Sequence, residues 1–235
     1  MAKRGIVKKS EARETDKRPT RWRRYEHFFL IVCEDGNVEP YYFDTFKNYF
    51  PEETFFLKTV GTGRSTKGVV EQSLTEKEAL SSESNKNVDE VWAVFDKDDA
   101  DKVAATIANF NEAFEIARLG GVRIAYSNEV FELWLLLHYQ NVNHAKPIPR
   151  QEVYQLLEAQ IKKHPAYTEY VYEHGKTSVI DALLKTGNEQ KAIERAENLL
   201  TAHNGTAPIY ANPSTTVHIL VRRLRELIEY YNYAP

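Results

Sequence analysis

The chain has 235 residues, 42% of them hydrophobic, and a formal net charge of -3, enough for one sizeable core with an appended region. No apolar run approaches the roughly eighteen residues of a membrane span, and the N-terminus is basic and polar where a secretory signal would carry its apolar core, so a cytoplasmic protein without membrane association is expected. The single cysteine, Cys33, excludes an internal disulfide and a cysteine-based zinc cluster, and reads as a packed strand residue.

Charge is unevenly spread. Residues 1–24 hold ten Lys/Arg against three acids, so this tail is +7 and the remainder -10. A basic arm that includes Arg21, Arg23 and Arg24 on an acidic body suits contact with nucleic acid phosphates. The alternative is a solvated, disordered tail.

From Tyr25 onward strands and helices alternate. "FFLIVC" (28–33) reads as a strand buried on both faces, and 40–50 as an aromatic-rich helix in which Tyr41, Tyr42 and Phe43 serve packing. A second strand over 54–60 leads through "GTGRSTKG" into a helix over 69–80, and the polar "SSESNKN" reads as a linker. A third strand over 88–95 is followed by a helix over 102–119 that stops at Gly120 and Gly121. The fourth strand, 122–127, is capped by Ser127 and Asn128 into the helix "EVFELWLLLHY".

Four such alternations predict a parallel sheet with helices on both faces, and in that architecture ligands sit at the carboxyl ends of the strands. After about Asn143 helices dominate: 150–163, 178–185, 189–203 and a last one opening with Asn212 as N-cap and Pro213 at its first position. The expected organisation is a basic tail (1–24), an α/β domain (25–145) and a helical C-terminal region (146–235), divided at "KPIP".

The strand ends carry acids. Glu34 and Asp35 follow the first strand, and "VFDKDDADK" places Asp96 and Asp98 two apart at the end of the third. If the extended conformation persists, both leave one side of the sheet end, where Glu34 can join them. Carboxylates converging without cations cannot all stay ionised in a dry site, and a hard divalent cation resolves the conflict. Oxygen-only ligands select Mg²⁺ or Mn²⁺, and such ions serve phosphodiester cleavage. Standing alone, "DKDDADK" would be only a solvated cap. A haloacid-dehalogenase-like phosphatase would place its Asp-x-Asp after the first strand, and a receiver domain would need a lysine after a fifth. "GTGRSTKG" lacks the Lys-Ser/Thr after its second spaced glycine and is no ATPase loop. Its amides, with Arg64 and Lys67, offer phosphate contacts at the sheet edge, or only a flexible connection.

Glutamate after the first strand and Asp-x-Asp after the third is the order of a Toprim domain. At these residues the chain resembles the RloB-like family, Toprim-related proteins often encoded beside an ATPase in bacterial phage-defence or abortive-infection loci. "VCEDGNVEPYYF", "VFDKDDA", "AYSNEVFELWLLLHY" and "NPSTTVHILV" are similar to that family's motifs and together span most of the chain after the tail.

The resemblance implies a Mg²⁺-dependent nuclease acting on DNA or RNA, with an ATPase subunit from the same operon as partner, and it is compatible with a homo-oligomer. It implies Glu34, Asp96 and Asp98 as metal ligands and catalytic groups, with Glu39 a further acid. Glu132, in "NEVFELW", is a candidate additional ligand or a helix-start residue; His138 reads as structural, and Lys176 as a candidate phosphate-facing cation or a solvated loop residue. The chain departs from the family pattern at Asp35-Gly36, where the family has glycine directly after the glutamate. The alternative function is a catalytically weak or inactive Toprim module that binds nucleic acid or the ATPase.

Overall fold

The computed structural model describes residues 25–233, so Arg21, Arg23 and Arg24 lie outside the described residues. Its sheet has five strands in the order β2-β1-β3-β4-β5: β1 His27–Cys33, β2 Phe55–Gly61, β3 Glu90–Asp96, β4 Arg123–Asn128 and β5 Ser214–Thr215. The first four are mutually parallel, while β5 runs antiparallel to β4 with Ser127 opposite Thr215. Helices α1 (Val38–Asp44), α2 (Thr66–Ser84), α3 (Ala104–Gly120) and α4 (Glu132–Leu137) follow β1 to β4 in turn. Then come α5 (Arg150–Ile161), α6 (Ser178–Thr186), α7 (Glu189–Ala202) and α8 (Val217–Tyr233). A mostly parallel sheet covered on both faces, with a helical C-terminal region, is consistent with a Toprim-like α/β domain.

The strand pattern decides the layering. Successive side chains point to opposite faces, so Phe28, Leu30 and Val32 pack with Val69, Val70, Leu80, Phe110 and Ala117 of α2 and α3. Phe29, Ile31 and Cys33 face the other way, into a core shared with α1, α4 and the helices from α5 to α8. This second core is continuous across the expected division at 146–149, where Ile148 is one of its members. The interiors of β1 (28–33) and β3 (91–95) are therefore unbroken apolar runs, as burial on both faces requires.

Several boundaries differ from the sequence reading. The helix after β2 begins at Thr66 and continues to Ser84, through most of the supposed linker. Its serines do not break it because Ser73 and Ser84 donate their hydroxyls to the carbonyls of Val69 and Leu80, at 2.8 and 2.7 Å. The aromatic helix ends at Asp44 and passes into a 3₁₀ turn over Thr45–Tyr49. Asn212 caps no helix: its side chain is held by the backbone of Ile148, accepting from N–H at 3.0 Å and donating to C=O at 3.3 Å. Residues 214–215 form β5 instead, and α8 starts at Val217, whose N–H donates to Thr215 Oγ1 at 3.2 Å. Ser127 and Asn128 belong to β4 and do not cap the following helix. The Ser127 hydroxyl lies 3.0 Å from that of Thr215, and Asn128 Nδ2 donates to the Pro208 carbonyl at 3.1 Å.

At the opposite end of the sheet Glu90 is buried and paired with Arg123 of β4 at 2.9 Å and Arg223 of α8 at 2.6 Å. One carboxylate thereby ties three elements together.

Candidate active site

The chain proceeds from β1 outward to β2, then returns to place β3 on the other side of β1. The carboxyl ends of β1 and β3 flank this reversal, the position where open α/β sheets bind ligands. Glu34 and Asp96 stand there. Glu34 N–H donates to the Val94 carbonyl at 2.9 Å, continuing the β1–β3 ladder, and Glu34 Oε2 accepts from Asp96 N–H at 2.9 Å.

The turn after Glu34 is closely supported. Thr62 N–H donates to the Cys33 carbonyl at 3.0 Å and Gly63 N–H to the Glu34 carbonyl at 2.8 Å, with Gly63 at φ +62°. Gly61 has no room for a side chain, because a Cβ there would lie 2.6 Å from Gly36 Cα and 2.7 Å from the Asp35 carbonyl oxygen. The first amides of "GTGRSTKG" thus bind the β1 turn. Arg64 is exposed, whereas Lys67 pairs with Glu112 of α3 at 3.0 Å. Asp35, the departure from the family pattern, accepts the N–H of Val38 with its side chain at the start of α1. Its own N–H donates to Glu39 Oε2 at 3.2 Å.

Four acids form an interacting set. Glu39 and Glu132 are almost fully buried, at 2% and 4% exposure. Burial raises the Glu34 carboxyl to about 7; the Asp96 N–H opposes this and the charge of Asp98 adds to it. Burial also drives Asp96 well above the usual carboxylate range, reinforced by the charges of Glu39, Glu132 and Glu34. Glu39 is driven up by burial and by Glu34, against its bond from Asp35 N–H. Asp96 Oδ1 is buried and accepts no hydrogen bond. Such a group is costly unless something positive meets it.

Asp98 is placed differently from the sequence expectation. The strand ends at Asp96 and the chain turns, with Asp98 at φ +49°, so strand alternation does not carry its side chain beside that of Asp96. It pairs with Arg150 Nη1 at 3.2 Å at the rim of the acidic set, and burial raises its carboxyl while Arg150 lowers it. Lys176 is exposed, in a turn closed by its N–H to the Glu173 carbonyl at 3.1 Å, two residues beyond His174. His138 is buried outside the set, at the end of α4, and Cys33 is fully buried in the core, its thiol raised by burial.

Glu132 is the link to a second feature. Its Oε1 accepts the Tyr172 hydroxyl and lies 3.8 Å from His174 Nδ1. Tyr172 and His174 line a cleft of about 580 Å³ with Arg150, Gln151, Tyr154, Gln155 and Glu158. A family model described as RloB-like protein matches residues 29–224.

The chain belongs to the RloB-like family. No curated protein and no solved structure matches it. Within this RloB-like chain, Glu34, Glu39, Asp96 and Glu132 come together, Asp98 stands at the edge, and Lys67 is occupied by Glu112. Sequence reasoning missed Arg150, Tyr154, Tyr172 and His174. Arg150 and Tyr154 lie in the helix expected over 150–163, where nothing marks them apart from packing residues, and Tyr172 and His174 lie in the tyrosine-rich "YTEYVYEH" (167–174), which has no helical or strand period.

The donor set suits a hard cation: it offers carboxylate oxygens alone, one of them buried without a partner. Among the described residues no three of these side chains are arranged as a ready-made cation cage.

Proposed function

We propose that this RloB-like protein is a Toprim-like, Mg²⁺- or Mn²⁺-dependent nuclease, acting as the effector of a bacterial anti-phage system with an ATPase partner. The observation that carries the reading is the unpartnered, buried Asp96 Oδ1 beside Glu34 at the sheet's reversal point, where burial pushes the carboxyls of Glu34, Asp96 and Glu39 toward protonation.

Glu34, Asp96 and Glu39 would hold the cation, with Glu132 and Asp98 as neighbouring acids. The bound cation would supply neutralisation of the scissile phosphate and a more acidic water. The chain's own groups do the rest. Asp96 N–H fixes Oε2 of Glu34, leaving Oε1 of the same carboxyl available to the cation. Arg150 presents a guanidinium at the edge of the acids, where it can hold a phosphate next to them. The defence role and the ATPase partner come from the family resemblance, and cytoplasmic location goes with them. No helix among the described residues is long and apolar enough to cross a membrane.

The test compares wild type, Glu34→Ala and Asp96→Ala at matched expression, for protection under phage challenge with the ATPase present and for metal-dependent cleavage of nucleic acid. Both activities should disappear in both variants while thermal stability is kept. Cleavage that survives either substitution would remove the mechanism.

A further inference from the structure

We propose that the cleft beside the acids receives a single unpaired nucleotide, its base against the rings of Tyr154, Tyr172 and His174 and its phosphate toward Arg150. The substrate is then single-stranded or locally unstacked nucleic acid. This rests on the nuclease reading and deepens it.

Three observations carry it. The cleft, about 580 Å³, falls within the roughly 300–1,000 Å³ typical of small-ligand sites. Its wall is aromatic: the Tyr154 and Tyr172 rings stack at 4.8 Å and 23°, and the His174 ring lies 5.6 Å from Tyr154. The His174 side chain is 75% exposed, so the wall ends in an open ring and not in the core.

Two polar contacts border this wall. At one, Arg150 engages Asp98 at 3.2 Å and Asp99 at 3.7 Å, which leaves most of the five guanidinium donors for another acceptor. At the other, the Tyr172 hydroxyl bonds to Glu132, so the stacking wall is attached directly to the acidic set. Glu158 holds this wall in place by accepting Tyr172 N–H at 2.8 Å. A base seated on the wall would bring its adjoining phosphate to Arg150 and the carboxylates. A base inside a duplex has both faces covered by its neighbours and cannot be bound this way, whereas an unpaired base of any type can.

The experiment measures binding without relying on turnover. A short fluorescent oligoribonucleotide, its deoxy counterpart and a blunt duplex of the same sequence are titrated by anisotropy with Ca²⁺ replacing Mg²⁺. Wild type should bind a single strand more tightly than the duplex, and the two single strands show whether ribose or deoxyribose is preferred. Tyr154→Leu and His174→Ala should each weaken single-strand binding by about fivefold or more, and Tyr154→Phe should retain it. His174 is exposed enough for its substitution to leave folding intact, which a thermal melt verifies. Unchanged single-strand affinity in both Tyr154→Leu and His174→Ala would mean that these rings only pack their loop. That result, equal binding of the duplex by wild type, or no single-strand binding at all, would overturn the proposal. Failure of the nuclease reading is separate: it appears as cleavage surviving Glu34→Ala, whatever the rings do to binding.

Discussion

Glu34 Oε2 accepts the backbone N–H of Asp96 at 2.9 Å, so two acids from neighbouring parallel strands, 62 positions apart, are held together by a main-chain bond. The Asp96 N–H eases the ionisation of Glu34, while the charge of Glu34 raises the Asp96 carboxyl. Burial nevertheless keeps the Glu34 carboxyl raised, so Glu34 contributes to the pH response of the metal-free protein. Its carboxyl titrates near 7 when folded against about 4.3 unfolded, so between those values the folded chain binds more protons. This contribution is fully present below the unfolded value and is lost as pH rises through 7, at up to about 1.4 kcal/mol per unit. In chelator, Glu34→Gln should become progressively more stable relative to wild type between pH 5 and pH 7.5. Parallel melting curves with no pH-dependent divergence would contradict the assignment.

His138 works in the opposite direction. Burial, with Arg195 nearby, lowers its imidazole to about 3. The unfolded chain takes up this proton near pH 6.5 and the folded one does not, so stability falls as pH drops below 6.5, by about 1.4 kcal/mol per unit from this group. The His138 ring resonances should show no titration between pH 7.5 and pH 5, and a shift centred near 6.5 would refute the burial argument.

Gly61→Ala tests how the first acid is positioned. The added methyl meets backbone atoms of Asp35 and Gly36 at 2.6 to 2.9 Å, so the turn carrying Glu34 must move. A loss of about 1–3 kcal/mol by urea denaturation is expected, accompanied by weaker Mg²⁺ binding in calorimetry. Full stability with unaltered metal affinity would show that the turn is not tightly seated.

Glu90→Ala tests the opposite end of the sheet. Arg123 and Arg223 are partly solvated, which softens the loss, so about 1–3 kcal/mol of destabilisation is expected. Cleavage and metal affinity should remain near wild type below the melting range, because Glu90 begins β3 and Asp96 ends it.

What could be read from the sequence follows from the range of the forces involved. β1 was visible because burial on both faces demands an unbroken apolar run, and Glu34 and Asp96 were visible because strand ends in such sheets are where ligands bind. Asp98 was misplaced because a single left-handed residue ends the alternation, and nothing in "DKDDADK" marks it. The β5 pair Ser214–Thr215 is two polar residues long, with no periodicity to detect, and its identity depends on β4 some 88 positions earlier. Lys67 looked free in the sequence because its partner, Glu112, comes from another helix. Tyr172 and His174 were hidden for the same reason: an irregular segment acquires its meaning only from Glu132, against which it folds.

The short antiparallel strand has a consequence in time. β4 gains its outer neighbour, and Asn128 its acceptor at Pro208, only from the last part of the chain. During synthesis the four parallel strands emerge long before residues 208–215, leaving the sheet with an open edge until the final helices arrive. Such distant contacts are closed late and slowly. A chain that has emerged only as far as β4 therefore has its acids but not its finished sheet, which waits for residues 208–215.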